Sequence, residues 1–288
     1  MAAKSFTEGR VGIVGLGLIG GSFAKALASA GQEVLAYNRS RAILDLAKIE
    51  TVTDELTEET ISTCELIILC AYPAFSIEYL HKMANRIADG AIVIDAVGIK
   101  RAICEDLFAL AESHGWTFIG AHPMAGTQYS GYAHAKANLF KGAPLVVVPP
   151  QMDDILRANI LERLKVLLAP CQFGSFTLAT ADLHDRQIAY TSQLAHIVSN
   201  AYVKSPAAQL HHGFSAGSYK DLTRVAQLNA DMWTELFIDN ADYLSAELGG
   251  LISHLSAYKE ALDAHDAPKL HELLAEGDKL KRQAEARS

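Results

Sequence analysis

The chain has 288 residues, 50% of them apolar, and a formal net charge of −8. An acidic balance of that size argues against nucleic acid or an anionic membrane as a partner. No stretch reaches about 18 consecutive apolar residues and Met1 to Glu8 hold no apolar leader, so neither membrane insertion nor secretion is indicated and a cytoplasmic protein is expected.

The first element, Val11-Gly12-Ile13-Val14, reads as a strand and runs straight into Gly15-Leu16-Gly17-Leu18-Ile19-Gly20-Gly21-Ser22. Strand, glycine turn and helix start in that order predict a dinucleotide site. Gly15 permits the tight turn, Gly17 lets the backbone approach a pyrophosphate, and Gly20 lets the helix pack on the strand, with the helix N-terminus facing the charge. Leu16, Leu18 and Ile19 complete the expected cofactor-binding segment, and a glycine turn of purely structural value is the alternative. The second strand, Glu33 to Tyr37, ends about 22 residues after Gly15, where the ribose-reading residue belongs. Asn38-Arg39-Ser40 stand there in place of the Asp or Glu of an NAD-selective site. Asn and Ser can donate to a 2′-phosphate and Arg can pair with it, so NADP is favoured and NAD remains possible; an ordinary solvated loop is the other reading.

Short β-branched runs then alternate with helical patterns: Leu66 to Leu69, Ala91 to Ile94, Phe118-Ile119, Leu145 to Val148 and Cys171 to Phe173. That alternation predicts an α/β fold, a Rossmann-type domain over residues 1–178 with a largely parallel sheet covered on both faces. Cys64, Cys70, Cys104 and Cys171 show no metal-like spacing and read as buried thiols, so no metal is expected. After Phe176 the strand signals cease, and an all-α domain over residues 179–288 is expected, interrupted near Ser205-Pro206, at Gly213 to Gly217 and at Asn229. It holds about 110 residues with pronounced apolar stripes, which suits burial against a second copy, hence a homodimer.

Within the first domain, Gly120-Ala121-His122-Pro123-Met124-Ala125-Gly126-Thr127 follows the strand Trp116 to Ile119 and should lie in a loop at the carboxyl edge of the sheet, where ligands of open α/β sheets bind. A histidine there is placed to take a proton beside a nicotinamide ring, although an isolated loop histidine is often structural. In the second domain His184, Ile188, Ser192 and His196 recur every four residues, lining one slowly drifting helix face that could equally be a solvated stripe. Asn229 reads as an N-cap that starts a new helix, so Arg224 and Trp233 can converge across the break.

Together, Gly-Leu-Gly-Leu-Ile-Gly-Gly-Ser at 15–22 and His-Pro-Met-Ala-Gly at 122–126 resemble the prephenate and arogenate dehydrogenases of tyrosine biosynthesis, and the similarity runs along nearly the whole chain. His184-Asp185, Ser192-Gln193-Leu194-Ala195-His196, Ser218 to Val225 and Met232-Trp233 are similar to segments of that family. The resemblance implies oxidative decarboxylation of a cyclohexadienol to an aromatic product with reduction of a nicotinamide. It implies His122 as the catalytic proton acceptor, Arg224 as the partner of a substrate carboxylate, and Thr127, His184, Ser192, Gln193, His196 and Trp233 as substrate-binding residues. On the residues alone, Arg224 could be a helix cap and Trp233 simple core.

The sequence departs from the family at three places. Gly98 stands where many relatives have a Ser, Gln193 and Ala195 replace a His and a Pro, and Gln128 replaces a frequent Glu. Prephenate and arogenate differ by a keto group against an ammonium, and no unpaired acidic residue stands in the matched segments, so prephenate is favoured over arogenate. The sequence ends soon after the amphipathic stretch Pro268 to Arg287, which implies a monofunctional form without a fused mutase or regulatory domain. Two rivals are a β-hydroxyacid dehydrogenase or imine reductase on the same plan, of which the former would want a Lys on the first helix of the second domain, and a non-catalytic NADP sensor.

Overall fold

A computed structural model describes residues 5–127 and 129–286; Gln128, one of the departures from the family, lies outside the described residues. Eight strands are formed among them: β1 (Thr7–Val14), β2 (Val34–Tyr37), β3 (Asp54–Glu55), β4 (Cys64–Leu69), β5 (Ile92–Asp95), β6 (Thr117–Pro123), β7 (Pro144–Val148) and β8 (Ser175–Leu178). They join one sheet in the order β3-β2-β1-β4-β5-β6-β7-β8. Pairing is parallel from β3 to β6, antiparallel between β6 and β7, and parallel again to β8. The order reverses at β1 and β4, the switch point where doubly wound sheets bind ligands.

Five helices cover this sheet: α1 (Leu18–Ser29), α2 (Arg41–Glu50), α3 (Pro73–Met83), α4 (Arg101–Glu112) and α5 (Asp154–Leu167). Every residue of β4 and β5 is buried, which is why these strands read as unbroken apolar runs and not as alternating ones. One core layer packs Phe23, Leu27 and Phe140 over Ile13, Leu66 and Ile68; the other packs Leu80, Ile103 and Leu107 over Ile67, Val93 and Phe118. Burying one such side chain contributes roughly 1.5–3 kcal/mol. Cys64 and Cys171 are buried, and burial pushes their thiols up to about 12; Cys70 is partly exposed.

Two local expectations are corrected. Cys171-Gln172-Phe173 is no strand, because Ala169–Cys171 forms a 3-10 turn and Gln172 takes the left-handed conformation with φ 55, so β8 starts only at Ser175. His122 is not in a loop either. β6 continues to Pro123 because β7 supplies antiparallel partners that far, with His122 opposite Val146 and Pro123 opposite Leu145.

Beyond β8 the described chain is helical: α6 (Ala181–Ile188), a π-helical stretch (Ala189–Leu194), α7 (Ala195–Tyr202), α8 (Gly217–Thr223), α9 (Ala230–Ile238), α10 (Ala241–Asp263) and α11 (Ala267–Glu285). Asn229 caps α9, accepting the Met232 amide at 3.1 Å. Ala189, Leu194 and Leu244 form a small buried cluster in this half. Its α9 docks on the sheet, with Leu236, Met232 and Trp233 packed against the core on the β5 and α4 side. None of the helices among the described residues is long and apolar enough to cross a membrane.

Candidate active site

Parallel pairing brings the ends of β1, β4, β5 and β6 side by side, so Gly15, Cys70, Ala96 and His122 lie along one edge. Gly15 has φ +96, and a Cβ there would lie 2.8 Å from the Cys70 carbonyl oxygen. A Cβ on Gly20 would fall 1.9 Å from the Gly15 oxygen, so α1 reaches this close to the turn only without a side chain. At Gly17 a Cβ would meet nothing within 4 Å, which leaves the backbone at the start of α1 open. No acidic residue occupies the first turn of α1. An open helix N-terminus without a competing carboxylate fits the pyrophosphate of a dinucleotide.

The loop after β2 is built differently from the expectation. Asn38 Oδ1 accepts the Leu16 amide at 2.9 Å and Asn38 Nδ2 donates to the Ser40 carbonyl at 3.1 Å, so this side chain ties the loop to the glycine turn. Leu16 itself is buried beneath that turn. Arg41 is spent on Asp45 and Glu55 at 2.9 and 2.8 Å. Arg39 is exposed and has no ion pair among the described residues, and Ser40 heads α2 without using its hydroxyl as a cap.

At the other end of the edge, His122 Nδ1 lies 2.9 Å from His184 Nε2, and His184 Nδ1 lies 2.7 Å from Asp185 Oδ1. Burial first, then the neighbouring His184 and Lys100, hold His122 well below the usual imidazole range. His184 is lowered by burial against the opposing pull of Asp185. Asp185 is lowered although burial alone would raise it, because the His184 hydrogen bond and the backbone amides of Arg101 and Lys100 favour its charged form. A carboxylate only accepts, so His184 carries its proton on Nδ1 and offers a lone pair at Nε2. His122 therefore donates from Nδ1, and its Nε2, which has no partner among the described residues, is left as a proton acceptor.

This row of side chains is anchored in both halves. Asp185 Oδ1 accepts the Lys100 amide at 2.7 Å and Oδ2 the Arg101 amide at 2.8 Å, closing the N-terminus of α4. Asp95 Oδ1 accepts the amide of Ala121, the neighbour of His122, at 2.9 Å, while Oδ2 receives the fully buried Lys100 ammonium. Arg101 reaches across to Asn240 at 2.9 Å and Asp242 at 2.5 Å and stacks on Tyr243.

A second group forms on the helical side. His196 stacks on Trp233 with ring centroids 4.1 Å apart, and the Arg224 charge helps burial to lower the His196 pKa. Arg224 and Trp233 thus converge across the Asn229 break, with His196 between them. The guanidinium of Arg224 is exposed and has no carboxylate partner among the described residues. Ser192 is half-buried, and its carbonyl accepts His196 Nδ1 at 2.8 Å. The intervening π turn rotates less per residue than an α-helix, which slows the drift of the His184, Ile188, Ser192, His196 stripe.

Three expected substrate contacts have their polar side-chain atoms engaged within the chain. His184 is 3% exposed with both ring nitrogens engaged, so it reaches the site only through His122. Gln193 is buried, donating to the Leu236 carbonyl at 2.8 Å and accepting from Asn240 at 2.7 Å, because its place in the π turn aims it into the helical core. Thr127 is exposed, its hydroxyl engaged with the backbone of Tyr129 at 3.2 Å. At Gly98 a Cβ would meet only Leu236, at 3.5 Å, so there is room for a hydroxyl that this chain lacks. Sequence reasoning missed Asp95, Lys100, Arg101, Asp185 and Asn240 as members of the site. The available signals were the His184-Asp185 pair and the Asp95 to Lys100 segment, but their meeting depends on contacts some 85 residues apart in the chain.

A dinucleotide turn and a neutral histidine on one edge of a Rossmann-type sheet, closed by a helical half, define an NAD(P)-dependent dehydrogenase. Residues 23–172 match the family model of the prephenate dehydrogenase nucleotide-binding domain, and residues 180–276 that of the prephenate dehydrogenase dimerization domain. The chain belongs to the prephenate dehydrogenase family. It is 26% identical to a cyclohexadienyl dehydrogenase of Zymomonas mobilis, with 94% of each chain covered, and 28% identical to a prephenate dehydrogenase of Lactococcus lactis, covering 95% of this chain and 77% of the relative. The crystal structure of Synechocystis arogenate dehydrogenase superposes with a TM-score of 0.77 at 27% identity, covering 96% of this chain and 99% of that one.

Proposed function

We propose that the chain oxidatively decarboxylates prephenate to 4-hydroxyphenylpyruvate, with NADP preferred over NAD, as a homodimer joined through its helical half. The observation that carries the catalytic reading is the hydrogen-bonded row Asp185, His184, His122, which leaves His122 Nε2 as an unprotonated acceptor on the same edge as the glycine turn. In this reaction the ring hydroxyl loses its proton, the carbinol carbon loses a hydride, and the ring carboxylate leaves as carbon dioxide while its bonding pair completes the aromatic ring, giving a phenolate that regains a proton as 4-hydroxyphenylpyruvate. A dinucleotide held at the glycine turn of Gly15, Gly17 and Gly20 would supply the hydride acceptor. His122 accepts the hydroxyl proton as the carbonyl develops, Arg224 holds a substrate carboxylate by charge-assisted hydrogen bonds, and His196 and Trp233 flank it.

The names of the relatives divide among prephenate, arogenate and cyclohexadienyl dehydrogenases, so the choice rests on this chain's own residues. Among the described residues the His196, Trp233 and Arg224 group includes no carboxylate to pair with the ammonium of arogenate. The Arg39 guanidinium and the Ser40 hydroxyl, uncommitted among the described residues, support NADP, whereas the Asn38 side chain is already used in the turn. The test is the appearance of reduced nicotinamide absorbance with prephenate and with arogenate, each supplied with NADP and NAD. Faster turnover of prephenate with NADP is expected. Turnover of arogenate alone overturns the substrate, and equal or better turnover with NAD overturns the cofactor.

A further inference from the structure

The hydrogen bonds around His122 form a one-way series that ends on a single carboxylate. Asp185 is fully buried and meets four donors: the amides of Lys100 and Arg101, the Arg101 Nε at 3.4 Å, and His184 Nδ1. With the two α4 amides and the guanidinium fixed on it, the carboxylate turns the same oxygen to His184 in one orientation. His184 is 1% exposed in its side chain, so no water competes for either nitrogen. Its Nε2 can then only accept, and the 2.9 Å contact sets the proton of His122 on Nδ1.

We propose that Asp185, acting through His184, is a positioning residue that selects the Nδ1–H tautomer of His122 and so makes Nε2 the proton acceptor. With the opposite tautomer Nε2 carries a hydrogen and cannot take the substrate's proton. The groups facing this row are His184 and Asp185 from α6, Lys100 just ahead of α4, Arg101 at its start, and Asp95 from β5; Val146, opposite His122 on β7, brings no charge. Asp185 also bonds the first turn of α4 and accepts Asn240 through its carbonyl at 2.9 Å, so the residue that joins the halves of the molecule also sets the proton acceptor. The kinetic consequence rests on the dehydrogenase reading above; the tautomer does not.

The test is nitrogen NMR on protein labelled with ¹⁵N-histidine, with the His122 and His184 signals assigned from the His122→Asn and His184→Gln spectra. In the wild type His122 is expected with a protonated Nδ1 and a bare Nε2. Asp185→Asn, whose amide gives one acceptor where the carboxylate gave two, is expected to populate the Nε2–H form of His122 and to lower kcat about 100-fold with KM little changed. A wild-type His122 protonated on Nε2 overturns the inference outright, even if the variant does not fold. So does an Asp185→Asn enzyme with the wild-type spectrum and wild-type kcat. If prephenate and arogenate are both refused while the wild-type spectrum is as expected, the substrate reading fails and the tautomer assignment stands.

Discussion

The sheet edge and the helical half contribute to the site in opposite ways. At the edge, His122, His184, Asp185, Asp95 and Lys100 are locked by short hydrogen bonds among buried groups, and the glycine turn is packed to the limit of backbone contact. On the helical side Arg224 is exposed and α11 buries none of its residues, while Ile252, Leu255 and Leu262 of α10 and Leu274 and Leu280 of α11 are exposed. The difference teaches that the single chain fixes the edge by its own buried hydrogen bonds, whereas it leaves apolar faces of the helical half exposed. A dimerization-domain match over residues 180–276 agrees with that.

The comparison breaks first at His122. His122→Asn should lower kcat by about 10²–10⁴-fold while leaving cofactor affinity nearly unchanged, in steady-state rates and a nucleotide titration. Equal losses in both would mean that the histidine holds the edge together and takes no proton. Arg224→Ala should act through KM, costing about 1.5–3 kcal/mol of kcat/KM, the worth of a hydrogen bond to a charged group. A loss confined to kcat would place Arg224 at the reacting atoms and not at a carboxylate grip.

Gly20→Ala sharpens the packed side of the contrast. The added methyl needs space held by the Gly15 oxygen, so about 1–3 kcal/mol of overpacking strain is expected, read as a lower Tm and weaker nucleotide binding. The open side is probed by Leu255→Glu with Leu274→Glu, which should shift the sedimentation coefficient from dimer toward monomer with little change in the unfolding of the α/β half. A dimer that persists unchanged would move the interface elsewhere.

The smallest effect is on pH. His122 and His184 have folded pKa values below those of the unfolded chain, so below about pH 6.5 the unfolded chain binds protons that the folded one refuses. Their contribution to stability is fully present above that pH and is lost as pH falls toward the folded values. Tm should therefore decline from pH 7 to 5 in the wild type and decline less in His184→Gln. An unchanged slope in the variant would show that the loss originates elsewhere.

Much of this architecture is legible in residues 11–22, where β-branched strand and spaced glycines follow local steric rules that no distant contact needs to supply. Likewise Asn229 caps α9 because an Asn ahead of an apolar stretch can accept its own amide three residues on. What misled was pairing. His122 reads as a loop residue until β7 extends the strand beneath it, and Cys171 to Phe173 looks extended until Gln172 turns left-handed. Gln193 is expected as a substrate contact from the family resemblance alone, and which side of the π turn it faces is decided by its bonds to Leu236 and Asn240.

The sequence by itself determined the dinucleotide turn, the alternation that makes a parallel sheet, and the residues able to take a proton or hold a carboxylate, since each depends on spacing or residue chemistry within a few turns of chain. Only the tertiary structure decided that Asp185 stands behind His184, that His184 stands behind His122, and that Asn38 serves the fold. The Asn38 and His122–His184 bonds join residues 22 and 62 apart, and Asp185, next to His184 in the chain, is oriented by the Lys100 amide 85 residues away; their direction depends on which atoms burial leaves as acceptors.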